Sequence, residues 1–243
     1  MPSALAESAL MPPVTALRRL DSDIWVAEAP LRFVGLELGA RMTVMRLPGR
    51  GLLVHSPVRA TTELLDEVQA LGPVAYIVAP NRFHHRFVGG WQQAFPEAAT
   101  YVAPGLEQKR PDLKIAGVLT VQPERGWADG IDQVLMGGIP ATNEVVFFHR
   151  PSATLVASDL AFNIGASSPP LTRIAFRLGG SYGRLTPSPL ERVLVRDRLA
   201  FGRSLTRVLD WPFVRVVTSH GEVSEANGRN ELVRGYSWVL GAC

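Results

Sequence analysis

The chain has 243 residues, 47% hydrophobic and 19% charged, with 25 Lys and Arg against 22 Asp and Glu and a net charge of +3. That balance is enough for one large domain with a real core, and it excludes intrinsic disorder. A lone cysteine, Cys243, excludes a disulfide framework and a cysteine-rich zinc site, so any metal must fall to the five histidines and the carboxylates.

Residues 1–15 are small and proline-containing, and read as a loose arm ahead of a single domain over 16–243. The opening Met1-Pro2-Ser3-Ala4-Leu5-Ala6-Glu7 carries no basic segment, and Pro12-Pro13 interrupts it before an apolar stretch develops. No run approaches the roughly 18 apolar residues that span a bilayer. A cytoplasmic protein without membrane partners is the expectation.

From Ile24 onward short runs rich in Val, Ile and aromatics recur between Gly, Pro and Ser, and predict strands over 24–27, 42–47, 52–55 and 74–78. Further strands are predicted over 100–102, 118–121, 134–136, 145–148, 154–157 and 214–218. Several are apolar throughout, which suits strands covered on both faces. A helix over 61–71 places Leu64, Leu65, Val68 and Leu71 on one side and stops at Gly72-Pro73. The stretch 165–187 is rich in Gly, Ser and Pro and reads as a loop over a cleft. Ser188-Pro189-Leu190-Glu191 has the form of a capping box, and one helix is predicted from it to about residue 209. Leu190, Leu194, Phe201, Leu205 and Val208 share one face of that helix. Arg192, Arg196, Arg203 and Arg207 share the other, which reads as a solvated face. A last helix is predicted over 230–240. About ten strands, with helices between and after them, suggest one α/β domain of two packed sheets.

Three polar clusters stand immediately after apolar strands: Asn81-Arg82-Phe83-His84-His85-Arg86, Ser158-Asp159, and Ser219-His220-Gly221. A rigid strand fixes the direction of the first loop residues, so strand ends are where α/β folds project functional groups. Histidines and an aspartate converging there would make an N/O metal site. Against this, a single strand-end histidine is more often a hydrogen-bonded structural group, and adjacent histidines point in different directions. His149, at a strand–turn boundary, is expected to face solvent without a role.

The order of these clusters resembles the metallo-β-lactamase fold, an αββα sandwich of two mixed β-sheets flanked by helices that carries metal-dependent hydrolases. Asn81 to Gly90 stands where that family has a His-x-His-x-Asp-His segment, often followed by Gly-Gly. Leu155 to Asp159 resembles its bridging-aspartate motif, and Ser219-His220-Gly221 its final histidine motif. More closely, the chain is similar to the DUF4336 branch over roughly 24–221, through Asn81-x-x-His84-His85, Phe95-Pro96-Glu97-Ala98, Pro104-Gly105-Leu106 with Lys109, and Asn143-Glu144. Aligned on Gly89-Gly90, His84 takes the place of the second histidine and Arg82 that of the first. A one-residue slip puts His85 at the aspartate position and Asn81 at the first histidine, and both registers stay open. The middle histidine motif is missing, with Glu144 nearby at a shifted position, and His55 stands where the fold usually has an aspartate.

The resemblance therefore implies a reduced, mononuclear site rather than a two-metal one. Candidate ligands are His84, His85, Asp159 and His220, with Asp159 and His220 as catalytic residues. Asn81, Arg82, Arg86 and Glu144 are candidate substrate contacts, and Asn81 and Glu144 also candidate ligands. One divalent ion, zinc first and iron or manganese after it, would act on a small substrate of unknown identity. The alternative is a metal-free member of the fold that works as a binding or assembly module, its polar cluster satisfying itself. Nucleic acid is disfavoured because no Lys/Arg run exceeds two residues. Self-association is left open.

Overall fold

A computed structural model describes residues 14–49 and 51–241, so the expected arm lies almost wholly outside the described residues. Val14 already packs against the core, and Thr15 exchanges hydrogen bonds with Glu28.

The first half of the chain builds a seven-stranded sheet. Strands β1 (Arg18–Asp21) and β2 (Ile24–Ala29) pair antiparallel, and a small hairpin of β3 (Arg32–Phe33) and β4 (Leu36–Glu37) follows. Strands β5 (Ala40–Arg46) and β6 (Leu52–His55) continue the antiparallel half. Helices α1 (Thr62–Leu71), α2 (Val88–Ala94) and α3 (Leu106–Lys109) then carry the chain over to the parallel strands β7 (Val74–Ala79), β8 (Ala99–Val102) and β9 (Gly117–Val118). The second half builds a four-stranded sheet from β10 (Ile131–Leu135), β11 (Val145–His149), β12 (Thr154–Val156) and β13 (Arg215–Val217), the last pair parallel. Helices α4 (Pro170–Leu178), α5 (Pro189–Leu194), α6 (Arg198–Leu209), α7 (Gly228–Gly235) and α8 (Ser237–Leu240) complete the chain.

Strand alternation explains the layering. Successive side chains point to opposite faces of a sheet, so an all-apolar strand must be covered twice. Ile24, Met45, Leu53 and Val78 meet Ile131, Val145, Phe147 and Val156 in a core between the two sheets. Their neighbours Trp25, Val44, Val54 and Ile77 face the other way, onto Leu64, Val68, Trp91 and Leu106 of the first three helices. On the second sheet Val146, Phe148, Leu155 and Val216 face outward onto Phe201, Leu205, Val208 and Leu232. Helix, sheet, sheet, helix is the result, an αββα sandwich.

Several elements depart from the sequence reading for local reasons. The single helix expected over 189–209 is two, because the chain breaks at Val195, where the backbone turns extended, and restarts at Asp197. The Asp197 side chain accepts a hydrogen bond from the Ala200 N–H at 2.9 Å and caps the new helix. Leu190 is consequently not on the buried face of α6 but 53% exposed. Ser188 caps α5, accepting from the Glu191 N–H at 3.1 Å, and the buried Glu191 carboxyl also accepts from the Tyr236 hydroxyl at 2.9 Å. The 165–187 stretch is not all loop, since Pro170 opens α4 within it. The final helix is interrupted at Tyr236, whose ring is buried. His149 does not face solvent: it is buried, with Nδ1 against Ser152 Oγ at 2.7 Å and Nε2 near Arg46 O at 3.3 Å.

Candidate metal centre

Three strand ends meet at one edge of the sandwich, those of β7, β12 and β13, and each delivers one side chain. After β7 the Asn81 side-chain oxygen accepts hydrogen bonds from the N–H groups of Phe83 at 2.9 Å and His84 at 2.8 Å. This Asx turn rolls the chain so that His84 points inward. Asn81 is fully buried, and its amide donates to Asp159 Oδ2 at 2.7 Å. One asparagine thus holds both the histidine loop and the aspartate.

Asp159 follows β12 and is fixed from behind by Glu144. The buried Glu144 carboxylate accepts from the Ser158 N–H at 2.6 Å and the Asp159 N–H at 3.0 Å. His220 follows β13. Gly221, directly after it, has φ +86°, and a Cβ there would come within 2.1 Å of Asn163 O. Only glycine suits that turn.

His84, Asp159 and His220 each offer one ligand atom, and the three atoms lie within 4.8 Å of one another. His84 Nε2 is 3.4 Å and His220 Nε2 3.3 Å from the same oxygen, Asp159 Oδ1. Ligand atoms about 2.1 Å from a tetrahedral ion stand roughly 3.4 Å apart, so these separations fit a shared ion. The ring orientations fit as well. His220 Nδ1 lies 2.6 Å from the Gly39 carbonyl oxygen, which can only accept, so Nδ1 carries a proton. In the neutral ring Nε2 is then an acceptor, and it stands beside a second acceptor, Asp159 Oδ1. A cation or a second proton at the cluster would offset that apposition. His84 Nδ1 is likewise engaged, by Ser56 Oγ at 2.7 Å, leaving Nε2 for the cluster. Phe162 stacks on the His220 ring at 4.8 Å.

Electrostatics follows from this geometry. Burial alone would raise the Asp159 carboxyl, but His84 and His220 beside it hold it well below the usual carboxylate range. Burial lowers His84, yet the Asp159 and Glu144 charges outweigh it and the ring is pushed up. Glu144 is pushed up by burial and by the adjacent Asp159.

The other sequence candidates lie elsewhere. His85 is outside the cluster: its Nδ1 is 2.9 Å from Arg110 Nη1, and it lines the pocket over the cluster without joining the three. Burial and the Lys109 and Arg110 charges push it down to about 4. Arg82 donates to Pro140 O at 3.3 Å, and Arg86 is exposed with its guanidinium over Phe87. Of the four expected substrate contacts, Arg86 lines the pocket over the cluster, while Asn81 and Glu144 are buried behind it and Arg82 lies to the side. His55 is buried with no partner at Nε2, edge-on to Phe147 at 5.3 Å, and burial followed by the His84 charge pushes it down to about 3. Ser56, Gly39 and Phe162 were not singled out by sequence. Ser56 carries one available signal, its position directly after β6.

The family model for a domain of unknown function, DUF4336, matches residues 21–179. The chain belongs to the DUF4336 family. Its match ends before His220, so the third cluster residue of this DUF4336 protein lies beyond the matched segment. No curated protein matches the chain. Among solved structures it is similar to a metallo-beta-lactamase from Pontibacter korlensis, with 12% identity and a TM-score of 0.64 over 93% of this chain and 99% of that one. A metallo-beta-lactamase from Hirschia baltica is similar at 10% identity and a TM-score of 0.63, over 94% and 98%. A metal-soaked flavodiiron core from Synechocystis is similar at 12% identity and a TM-score of 0.65, over 94% of this chain and 61% of that one. At these identities the likeness is one of fold: this is a metallo-β-lactamase-fold protein. Among the described residues no helix is long and apolar enough to cross a membrane.

Proposed function

We propose that this DUF4336 protein is a metal-dependent hydrolase of a small substrate, with a single divalent ion, zinc first, held by His84, Asp159 and His220. The observation that carries the reading is the apposition of two acceptors: His220 Nδ1 is committed to the Gly39 carbonyl, so in the neutral ring Nε2 is an acceptor, and it stands 3.3 Å from Asp159 Oδ1. Three protein ligands are the number found in catalytic zinc sites, which keep a further position open. When bound, such an ion supplies acidified water, with a pKa brought towards about 7. The chain's own residues do the rest. Asn81 orients the aspartate, Ser56 and Gly39 orient the two rings, and the groups holding Nδ1 raise the basicity of Nε2. Phe162, flat against His220, keeps water from that side of the ring.

A second reading is favoured by the same short contacts. With a second proton on one ring, His84, Asp159 and His220 satisfy one another as an ion-paired triad, and the scaffold serves as a metal-free binding or assembly module. The experiment that separates the two is elemental analysis of purified protein together with thermal unfolding, with and without a chelator and added zinc. Near-stoichiometric metal and a Tm that falls on chelation are expected, since a bound ion stabilises the native state by mass action. Asp159→Ala and His220→Ala should lose the metal. Folded protein that neither holds nor takes up zinc, iron or manganese sinks the hydrolase reading.

A further inference from the structure

The three cluster residues form part of the wall of a pocket with a cavity volume of about 290 Å³. The rest of that wall is dominated by hydrocarbon and aromatic side chains, including Leu31, Leu38, Phe162, Leu190 and Leu194. Among the described residues, beyond the cluster and its neighbour His85, only two ionisable side chains line it, Arg86 and Glu191. Arg86 is exposed, so water screens any pairing it could offer to an anion.

Glu191 adds no charge either, because its carboxyl is buried. The Tyr236 hydroxyl bonds the Leu160 carbonyl, which can only accept. The hydroxyl also donates to Glu191 Oε1 at 2.9 Å, and burial holds that carboxyl well above the usual carboxylate range, in its neutral form. A charged ligand would therefore lose its hydration against hydrocarbon with no buried counter-charge outside the cluster. An apolar ligand gains by the transfer. The volume holds about ten water-sized groups at roughly 30 Å³ each.

We propose that this pocket takes an uncharged carbonyl compound, its carbonyl at the His84–Asp159–His220 cluster and an apolar body of about ten non-hydrogen atoms against Leu31, Leu38, Phe162, Leu190 and Leu194. The proposal rests on the hydrolase reading only in making that compound a substrate. The pocket's preference for an apolar, uncharged ligand stands or falls separately.

The test is calorimetric titration of the intact protein with 2-hexanone, 2-octanone and 2-decanone, and with 7-oxooctanoate as the charged counterpart of 2-octanone. Affinity is expected to rise about three- to four-fold per added methylene. The keto acid, which keeps the carbonyl and adds a distant charge, is expected to bind at least about tenfold more weakly. Leu190→Glu puts a charge on the pocket wall at a residue 53% exposed, where folding is spared, and should weaken 2-decanone by about tenfold. Leu178→Glu, at a residue 86% exposed and outside the lining, should leave it unchanged. Affinity that is flat with chain length, or a keto acid that binds as well as the ketone, overturns the proposal. If the ketones behave as expected but no metal is retained and no 4-nitrophenyl ester of matching chain length is hydrolysed, the hydrolase reading has failed and the apolar pocket has not.

Discussion

Asn81 does more at the centre than its place in the sequence suggests, because one side chain uses both of its ends. Its oxygen holds the loop that aims His84, and its amide holds Asp159 Oδ2. Asn81→Ala should therefore weaken zinc binding by about 10–100-fold, the usual effect of losing an orienting partner. Competition with a chromophoric chelator measures it, and unchanged affinity would show that Asp159 needs no such support. His55 makes a different test. Its pKa is about 3 in the folded protein against 6.5 unfolded. The native ring stays neutral while the unfolded one takes a proton, so the contribution to stability is full above pH 6.5 and is lost as pH falls towards 3. His55→Leu should flatten the acid limb of the stability curve by up to about 1.4 kcal/mol per pH unit, read from urea unfolding between pH 4 and 6.5. An acid limb with the same slope in both proteins would contradict this. At this scale the sequence showed which residue types stood at strand ends, but not which way they pointed. His84 and His85 are neighbours in the chain, and the Asx turn at Asn81 decides that His84 joins the cluster while His85 meets Arg110 instead.

Among the elements, the two helices α5 and α6 show where periodicity misleads. Leu190, Leu194, Phe201, Leu205 and Val208 keep a helical spacing straight through a break, so the pattern alone joined the two pieces. The stop at Val195 and the cap at Asp197 are local signals that a continuing stripe hides. Asp197→Ala should remove the cap of α6 at a cost of about 1 kcal/mol. Thermal unfolding should show a Tm lower by roughly 2–4 °C, and a Tm that does not move would mean that packing alone starts this helix. Strands were more legible. Leu52–His55 occupies the span its composition indicated, and the neighbouring strands differ by a residue or two at their ends. All-apolar runs covered on both faces need no partner information to be recognised. Helix α4 escaped notice because its nine residues sit among Gly, Ser and Pro, and because Leu171, Ile174 and Leu178 face outward rather than into a core.

Over the whole molecule, Glu191 ties layers together, joining α5 through Tyr236 to the chain after β12. Burial and then the Glu144 charge raise its pKa well above 4.5. A raised acid contributes stability that is full below pH 4.5 and is lost as pH rises above it, because the unfolded chain ionises and the native one does not. Glu191→Gln keeps the shape and an oxygen that accepts from Tyr236, without the acid. It should be more stable than the parent by about 1 kcal/mol or more at pH 8, with the difference closing near pH 4. A variant less stable at pH 8 would show that the acid is ionised in the fold. Sequence by itself determined the layered α/β architecture, since strand composition states how many faces must be covered. It also placed Asp159 and His220 at strand ends, because a strand end is a local feature. Tertiary structure alone decided which of these residues meet. Convergence depends on β7, β12 and β13 ending at one edge, a matter of topology between residues 84, 159 and 220 that no local pattern encodes. It also decided that Asn81 and Glu144 hold the cluster from behind, and that the surface above it is apolar. Leu31 and Leu38 flank the hairpin of β3 and β4, Leu190 sits on α5 and Phe162 follows β12, and only folding brings them together as one wall.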